Sequence, residues 1–209
     1  MRIDSLAGSA DRTGRHLVKF DSGDTMRLYR QTVEDFGLFP GMELNGAQMD
    51  ALRESAGAYS AKMRAVRIVS ATNVSRKDLE QRLVRKGEDP DQARAAVEWM
   101  EDLSLLDDRR TAAQIVSSCV SKGYGPSRAR QTLYEKKIPR ELWDEALQNY
   151  PDQTEKILKF IRQKLTDPHD ERQKRRVVDA LVRRGHGFSQ IRHAMDLAGA
   201  EMEDDMEEE

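Results

Sequence analysis

One pattern constrains this chain more than any other, because it occurs three times. Leu83-Val84-Arg85-Lys86-Gly87, Leu133-Tyr134-Glu135-Lys136-Lys137 and Leu181-Val182-Arg183-Arg184-Gly185 each place an apolar residue at the end of a helical pattern, with cations where the helix should stop. Leu83 to Leu133 is 50 positions, and Leu133 to Leu181 is 48. A recurrence on that scale is the signature of tandem helical units.

The residues between these marks follow one grammar. Ser75-Arg76-Lys77-Asp78 reads as a helix start with a hydroxyl cap and an acid at the third position. Leu79 and Leu83 form a buried stripe, and Gly87 closes the helix in the left-handed conformation. Asp89-Pro90-Asp91 opens the next helix, with Val97, Met100 and Leu103 on its apolar face. Leu105-Leu106-Asp107-Asp108 closes one helix and caps another. The second unit predicts helices over 112–120 and 128–136, then a third beginning at Ile138-Pro139. The third unit carries Ile157, Phe160, Ile161 and Leu165, then a helix over 170–184, then Phe188, Ile191 and Leu197. A single unit is not expected to bury its stripe alone, so stacking of neighbours should supply the core.

The first part of the chain differs. Arg15–Phe20 and Thr25–Arg30 flank Asp21-Ser22-Gly23-Asp24, which predicts a β-hairpin, with Val18, Phe20, Met26 and Leu28 on one face. Ile3 to Leu6 is a candidate further strand. Two short helices are expected next, over 48–55 and 59–71. The predicted fold class is mainly α: three tandem three-helix repeats in a curved array, with a small β-rich N-terminal subdomain. The boundaries are 1–45 for that subdomain, 46–74 for connecting helices, 75–106 for the first repeat core, 107–150 and 151–199 for the second and third repeats, and 200–209 for a disordered acidic tail.

A formal net charge of −2 hides an uneven distribution. Residues 63–200 hold 27 basic and 21 acidic side chains, whereas residues 201–209 hold 7 acidic and none basic. No run of about 18 apolar residues is present, so no membrane span or membrane partner is expected. Cys119 is the only cysteine, which excludes an internal disulfide and suits a reducing cytoplasm. Its apolar surroundings suit a small core residue better than a nucleophile.

Nothing converges for catalysis. Asp107-Asp108 sits where an N-cap belongs. His16, His169, His186 and His193 are scattered without a metal-ligand pattern. Gly123-Tyr124-Gly125-Pro126 lacks the strand and the Lys-Ser/Thr of a nucleotide loop. No enzyme activity, catalytic residue, metal or cofactor is expected. Trp99 and Trp143 hold matching places in their units and read as core packing.

The cations are more informative. Arg85, Lys86, Lys136, Lys137, Arg183 and Arg184 recur at one helix end. Arg172, Lys174, Arg175 and Arg176 add a dense cluster. The helix dipole favours a cation there by about 0.3–1 kcal/mol, which explains one per helix and does not require two. These ten residues are the candidate partner- or phosphate-binding set, expected to fall in register along stacked repeats. Few aromatics interleave with them, so base stacking is poorly supported.

In order and spacing these motifs resemble the RecX family of regulators of the bacterial RecA recombinase. The resembling residues are Ser75–Leu83 with Lys86-Gly87, then Leu105-Leu106-Asp107-Asp108-Arg109 with Ala113. Gly123, Gly125-Pro126, Arg130, Leu133 and Lys136 to Ile138 follow in the second unit. In the third they are Lys174–Val178, Leu181, Arg184-Gly185, Phe188, Ile191 and Ala194. Residues 15–62 are similar to an N-terminal extension of some members. Departures are Glu88 and Thr111, where the family usually has aromatics, and Ala71–Val74, which lacks a basic residue ahead of Ser75. The resemblance implies a non-enzymatic, monomeric regulator that binds the RecA–single-stranded-DNA filament. It would restrain ATPase, strand exchange and co-protease activity in recombination, DNA repair and the SOS response. Single-stranded DNA, met directly or within the filament, is a second expected contact. A helical repeat protein binding nucleic acid without RecA is the alternative. The acidic tail is expected to compete for the basic stripe in a salt-sensitive way.

Overall fold

The computed structural model describes residues 1–8, 14–167 and 169–207, with side chains as far as residue 199. The fold is mainly α, with ten helices and a three-stranded antiparallel sheet among the described residues. The chain divides into two compact units, Met1–Leu106 and Asp107–Glu209.

In the first unit, β1 (Ile3–Gly8), β2 (Arg15–Phe20) and β3 (Thr25–Tyr29) pair in that order. The register sets Leu6 opposite Val18 and Val18 opposite Met26, so one face of the sheet is apolar across its width. Gly23 turns the hairpin at φ +88°. Helix α1 (Arg30–Asp35) follows directly from β3. A three-stranded sheet needs a covering layer, and α1 and the next helix provide it. Ile3, Val18, Phe20, Leu28, Val33, Leu38, Leu44, Met49 and Leu52 form this core.

The two helices expected over 48–55 and 59–71 are one helix, α2 (Gly46–Ala71), started by a reciprocal cap between Asn45 and Gln48. Gly57 lies inside it. A helical glycine costs about 1 kcal/mol against alanine, and here the Gln92 amide packs over it. A Cβ there would come within 2.2 Å of the Gln92 side chain, which bonds the Glu54 carbonyl. The first half of α2 packs under the sheet. The second half, through Ala61 and Ala65, joins α3 (Arg76–Arg85) and α4 (Pro90–Asp102). Leu103, expected on the apolar face of α4, is 48% exposed instead. The helix ends before it, Ser104 turns left-handed at φ 57°, and Leu106 closes the core.

The second unit contains α5 (Asp108–Ser121), α6 (Pro126–Glu135), a 3-10 turn at Arg140–Leu142 and α7 (Trp143–Leu147). It continues with α8 (Thr154–Lys164), α9 (Glu171–Arg183) and α10 (Phe188–Glu207). Asp107 and, in the first unit, Ser75 and Asp89 each accept backbone N–H groups at the helix starts where the sequence put caps, and Asp170 does the same at the start of α9.

The expectation that no repeat could bury its own stripe is overturned. α2–α4, α5–α7 and α8–α10 each enclose a separate core. Three short helices suffice because alanines at the crossings let the backbones approach: Ala93 and Ala96, Ala112 and Ala129, Ala194 and Ala198 are all buried. In α10 the inward residues are Ile191, Ala194 and Ala198, while Phe188 and Leu197 are exposed. Of the tail expected to be disordered, residues 200–207 continue the backbone of α10, and 208–209 lie outside the described residues.

Candidate interaction surface

The repeated pentapeptide is a helix terminator. Leu83, Leu133 and Leu181 are buried to within 1% of complete. The carbonyl of each accepts the amide five residues on, from Glu88 at 3.2 Å, Ile138 at 3.0 Å and His186 at 3.2 Å. The residue before that amide is left-handed each time: Gly87 at φ +89°, Lys137 at +57° and Gly185 at +85°. This is the bonding by which helix C-termini satisfy their last carbonyls. Glu88, Ile138 and His186 then turn inward and are buried.

The polar members of that inward set have partners. Glu88 accepts from Arg64 Nε at 2.7 Å and from the Ser60 hydroxyl at 3.1 Å, while Arg64 also donates to the Lys86 carbonyl. His186 has Nε2 3.0 Å from the Gly123 carbonyl. Burial, with the Arg184 charge as a lesser cause, holds its imidazole below the ordinary histidine range.

The residue after each buried leucine points the other way. Val84 is 39% exposed, Tyr134 65% and Val182 37%. Beside these apolar groups stand the cations the sequence singled out. Arg85 and Lys86 are exposed, and Lys136 and Lys137 are half-buried. Arg172, Arg175, Arg176 and Arg183 lie at helical spacing on one exposed face of α9, with Asp179 among them. Lys174 is half-buried and bonds Glu171 at 2.8 Å. Arg184 is half-buried, its guanidinium 4.6 Å from the centre of the Phe160 ring and 5.9 Å from that of Tyr124. The middle helix of each repeat thus ends in an exposed apolar residue flanked by positive charge.

Trp99 and Trp143 pack half-buried on their repeat cores, and each carries a cation over its ring, Lys62 and Arg140 respectively. Cys119 is buried beside Thr132. Among the described residues no three His, Cys, Asp or Glu side chains cluster to hold a metal, and no helix is long and apolar enough to cross a membrane. Sequence reasoning passed over Val84, Tyr134 and Val182, although each follows a core leucine, with a cation next to Val84 and Val182 and two residues after Tyr134. It also passed over Lys122, Lys156 and Lys159.

Residues 107–147 match the family model for the second three-helix domain of RecX. The regulatory protein RecX of Xanthomonas axonopodis pv. citri (strain 306) is 35% identical over 134 residues, covering 63% of this chain and 83% of that protein. The chain belongs to the RecX family. RecX of Halorhodospira halophila is 32% identical over 155 residues, 72% of this chain and 94% of that protein. A crystal structure of a regulatory protein RecX superposes with a TM-score of 0.63 at 21% identity, covering 93% of this chain and 98% of that one. RecX from Lactobacillus salivarius gives 0.60 at 20% identity, covering 68% and 99%. At those identities the two structures speak for the fold.

Proposed function

We propose that this RecX-family protein regulates its cognate RecA recombinase by binding the RecA–single-stranded-DNA filament, restraining ATPase, strand exchange and co-protease activity. The observation that carries this reading is the recurrence of Val84, Tyr134 and Val182, exposed beside cations at the same helix end in three repeats. Exposed apolar groups rimmed by charge fit a protein surface, and a repeated motif fits a polymer that presents its own surface repeatedly. The recurrent cations then meet acidic protein side chains or DNA phosphates within the filament. Co-sedimentation with preformed filaments tests this. Val84→Ser, Tyr134→Ser and Val182→Ser combined should cut binding at least about tenfold, since each loses roughly 0.5–1.5 kcal/mol of apolar contact. Unchanged binding removes the surface from the account.

The second reading, direct nucleic-acid binding without RecA, is favoured by the arginine face of α9. It requires tight binding to bare single-stranded DNA, weakened steeply by salt.

A further inference from the structure

The sequence pattern led to the repeated cations, but a second concentration of positive charge lines a cleft that the pattern does not mark. A cleft of about 300 Å³ opens in the second unit between the end of α5, the flank of α8 and the end of α9. Lys122, Lys156, Lys159 and Arg184 line it, and no carboxylate does. Lys156 and Lys159 are three apart on α8 and share a face.

Part of this charge has an internal explanation. Lys156 donates to the Val120 carbonyl in the last turn of α5, where the dipole places about half a negative charge. One lysine more than meets that. Lys122, Lys159 and Arg184 have no carboxylate within ion-pair distance among the described residues. Like charges gathered in a partly enclosed cleft repel one another, and the repulsion grows as water is excluded.

The cleft is also built. The Arg184 guanidinium carbon lies 4.6 Å from the centre of the Phe160 ring and 5.9 Å from that of Tyr124, so cation–π attraction to two rings holds its charge beside the cleft. His186 is 5% exposed, fixed by the Gly123 carbonyl, and its Nδ1 is buried without a partner. Gly123 is left-handed at φ +66°, which turns the chain out of α5.

We infer that this cleft is a phosphate-binding site, with Lys122, Lys159 and Arg184 as the ligand-contacting residues and Lys156 and His186 as positioning residues. A guanidinium beside lysine ammonium groups is the donor set that phosphate oxygens take. The phosphate belongs to a nucleic-acid backbone or to a free nucleotide; the chemistry is shared. The inference concerns the isolated protein and does not rest on recombinase binding.

The test uses the full chain in isothermal titration with pyrophosphate at moderate salt. The variant is Lys122→Ala with Lys159→Ala, and the control is Lys19→Ala with Lys77→Ala, exposed lysines of the first unit with the same change in net charge. Thermal melts check that both remain folded. The cleft pair should weaken pyrophosphate binding about tenfold or more, and the control pair less than about twofold. Competition by an oligonucleotide lacking terminal phosphates supports the site with backbone phosphate as its source; competition by a nucleoside triphosphate alone supports it with free nucleotide as its source. No pyrophosphate binding by the native chain, or equal loss in both pairs, overturns the assignment. Displacement of pyrophosphate by oligo-glutamate more readily than by either phosphate compound also overturns it, in favour of an acidic peptide.

Discussion

Gly125 and Gly185 meet backbone to backbone, one from the second repeat and one from the third. The Gly125 amide donates to the Arg184 carbonyl at 2.8 Å, and a Cβ on Gly125 would fall 2.1 Å from the Gly185 carbonyl oxygen. A Cβ on Gly185 would fall 2.2 Å from the Arg128 amide nitrogen, with φ at +85° besides. Backbone cannot swing aside as a side chain can. Gly125→Ala should cost about 2–3 kcal/mol and Gly185→Ala at least as much, because strain adds to overlap. Gly46→Ala, with open space and ordinary φ, should cost nothing. Urea denaturation of the three variants checks the order.

Lys137 holds the left-handed position that Gly87 and Gly185 hold in the other repeats. A side chain there costs about 1–2 kcal/mol, partly offset by the unfolded-state entropy that glycine brings. Lys137→Gly should therefore stabilise the protein by up to about 1 kcal/mol, and Gly87→Ala should destabilise it by a similar amount. A Lys137→Gly variant that melts lower than the native chain contradicts this reading of the helix end.

The Arg64–Glu88 pair replaces apolar packing with a buried ion pair. Glu88 is 8% exposed and Arg64 remains partly solvated. Removing the arginine leaves a buried carboxylate that keeps the hydrogen bond from the Ser60 hydroxyl. Arg64→Ala should cost about 2–3 kcal/mol, after discounting for the solvation of the guanidinium. Glu88→Ile, which copies Ile138 of the second repeat, should cost less. A double-mutant cycle measures the coupling.

His186 makes stability depend on pH. Its pKa is lowered in the fold, so the unfolded chain takes up a proton first as pH falls. Stability is full above the ordinary value of 6.5 and declines below it, until the pH reaches the lowered value of the folded state. The slope is at most about 1.4 kcal/mol per pH unit. His186→Ile should flatten that part of the curve between pH 7 and 5, while costing about 1 kcal/mol at pH 7 because the Gly123 carbonyl loses its donor. Parallel slopes in both proteins would show that other groups carry the dependence.

Much of the fold could be read from local chemistry. The hairpin follows from alternation around Gly23. Helix boundaries follow from Ser75, Asp89 and Asp107 as caps and from Gly87 and Gly185 as stops. The misreadings have two causes, contact between residues distant in sequence and the ambiguity of helix edges. Gly57 looks like a break until Gln92 is seen packed against it, and nothing near Gly125 announces Gly185. Leu103 and Phe188 are apolar at helix edges, where a shift of one residue exchanges inside for outside. The repeated cations were legible because they recur. Lys122, Lys156 and Lys159 recur nowhere, and only the packing of α5, α8 and α9 brings them to one cleft.

The account stands most directly on the single-stranded-DNA-dependent ATPase of the cognate RecA, measured while this protein is titrated in below one molecule per RecA subunit. Native protein should lower the rate well beyond its molar fraction, since one molecule on a filament affects many subunits. The combined Val84→Ser, Tyr134→Ser and Val182→Ser variant should need at least about tenfold more protein for the same effect. An unchanged rate with folded native protein would contradict filament regulation, and equal potency of native and variant would contradict the surface assigned to it.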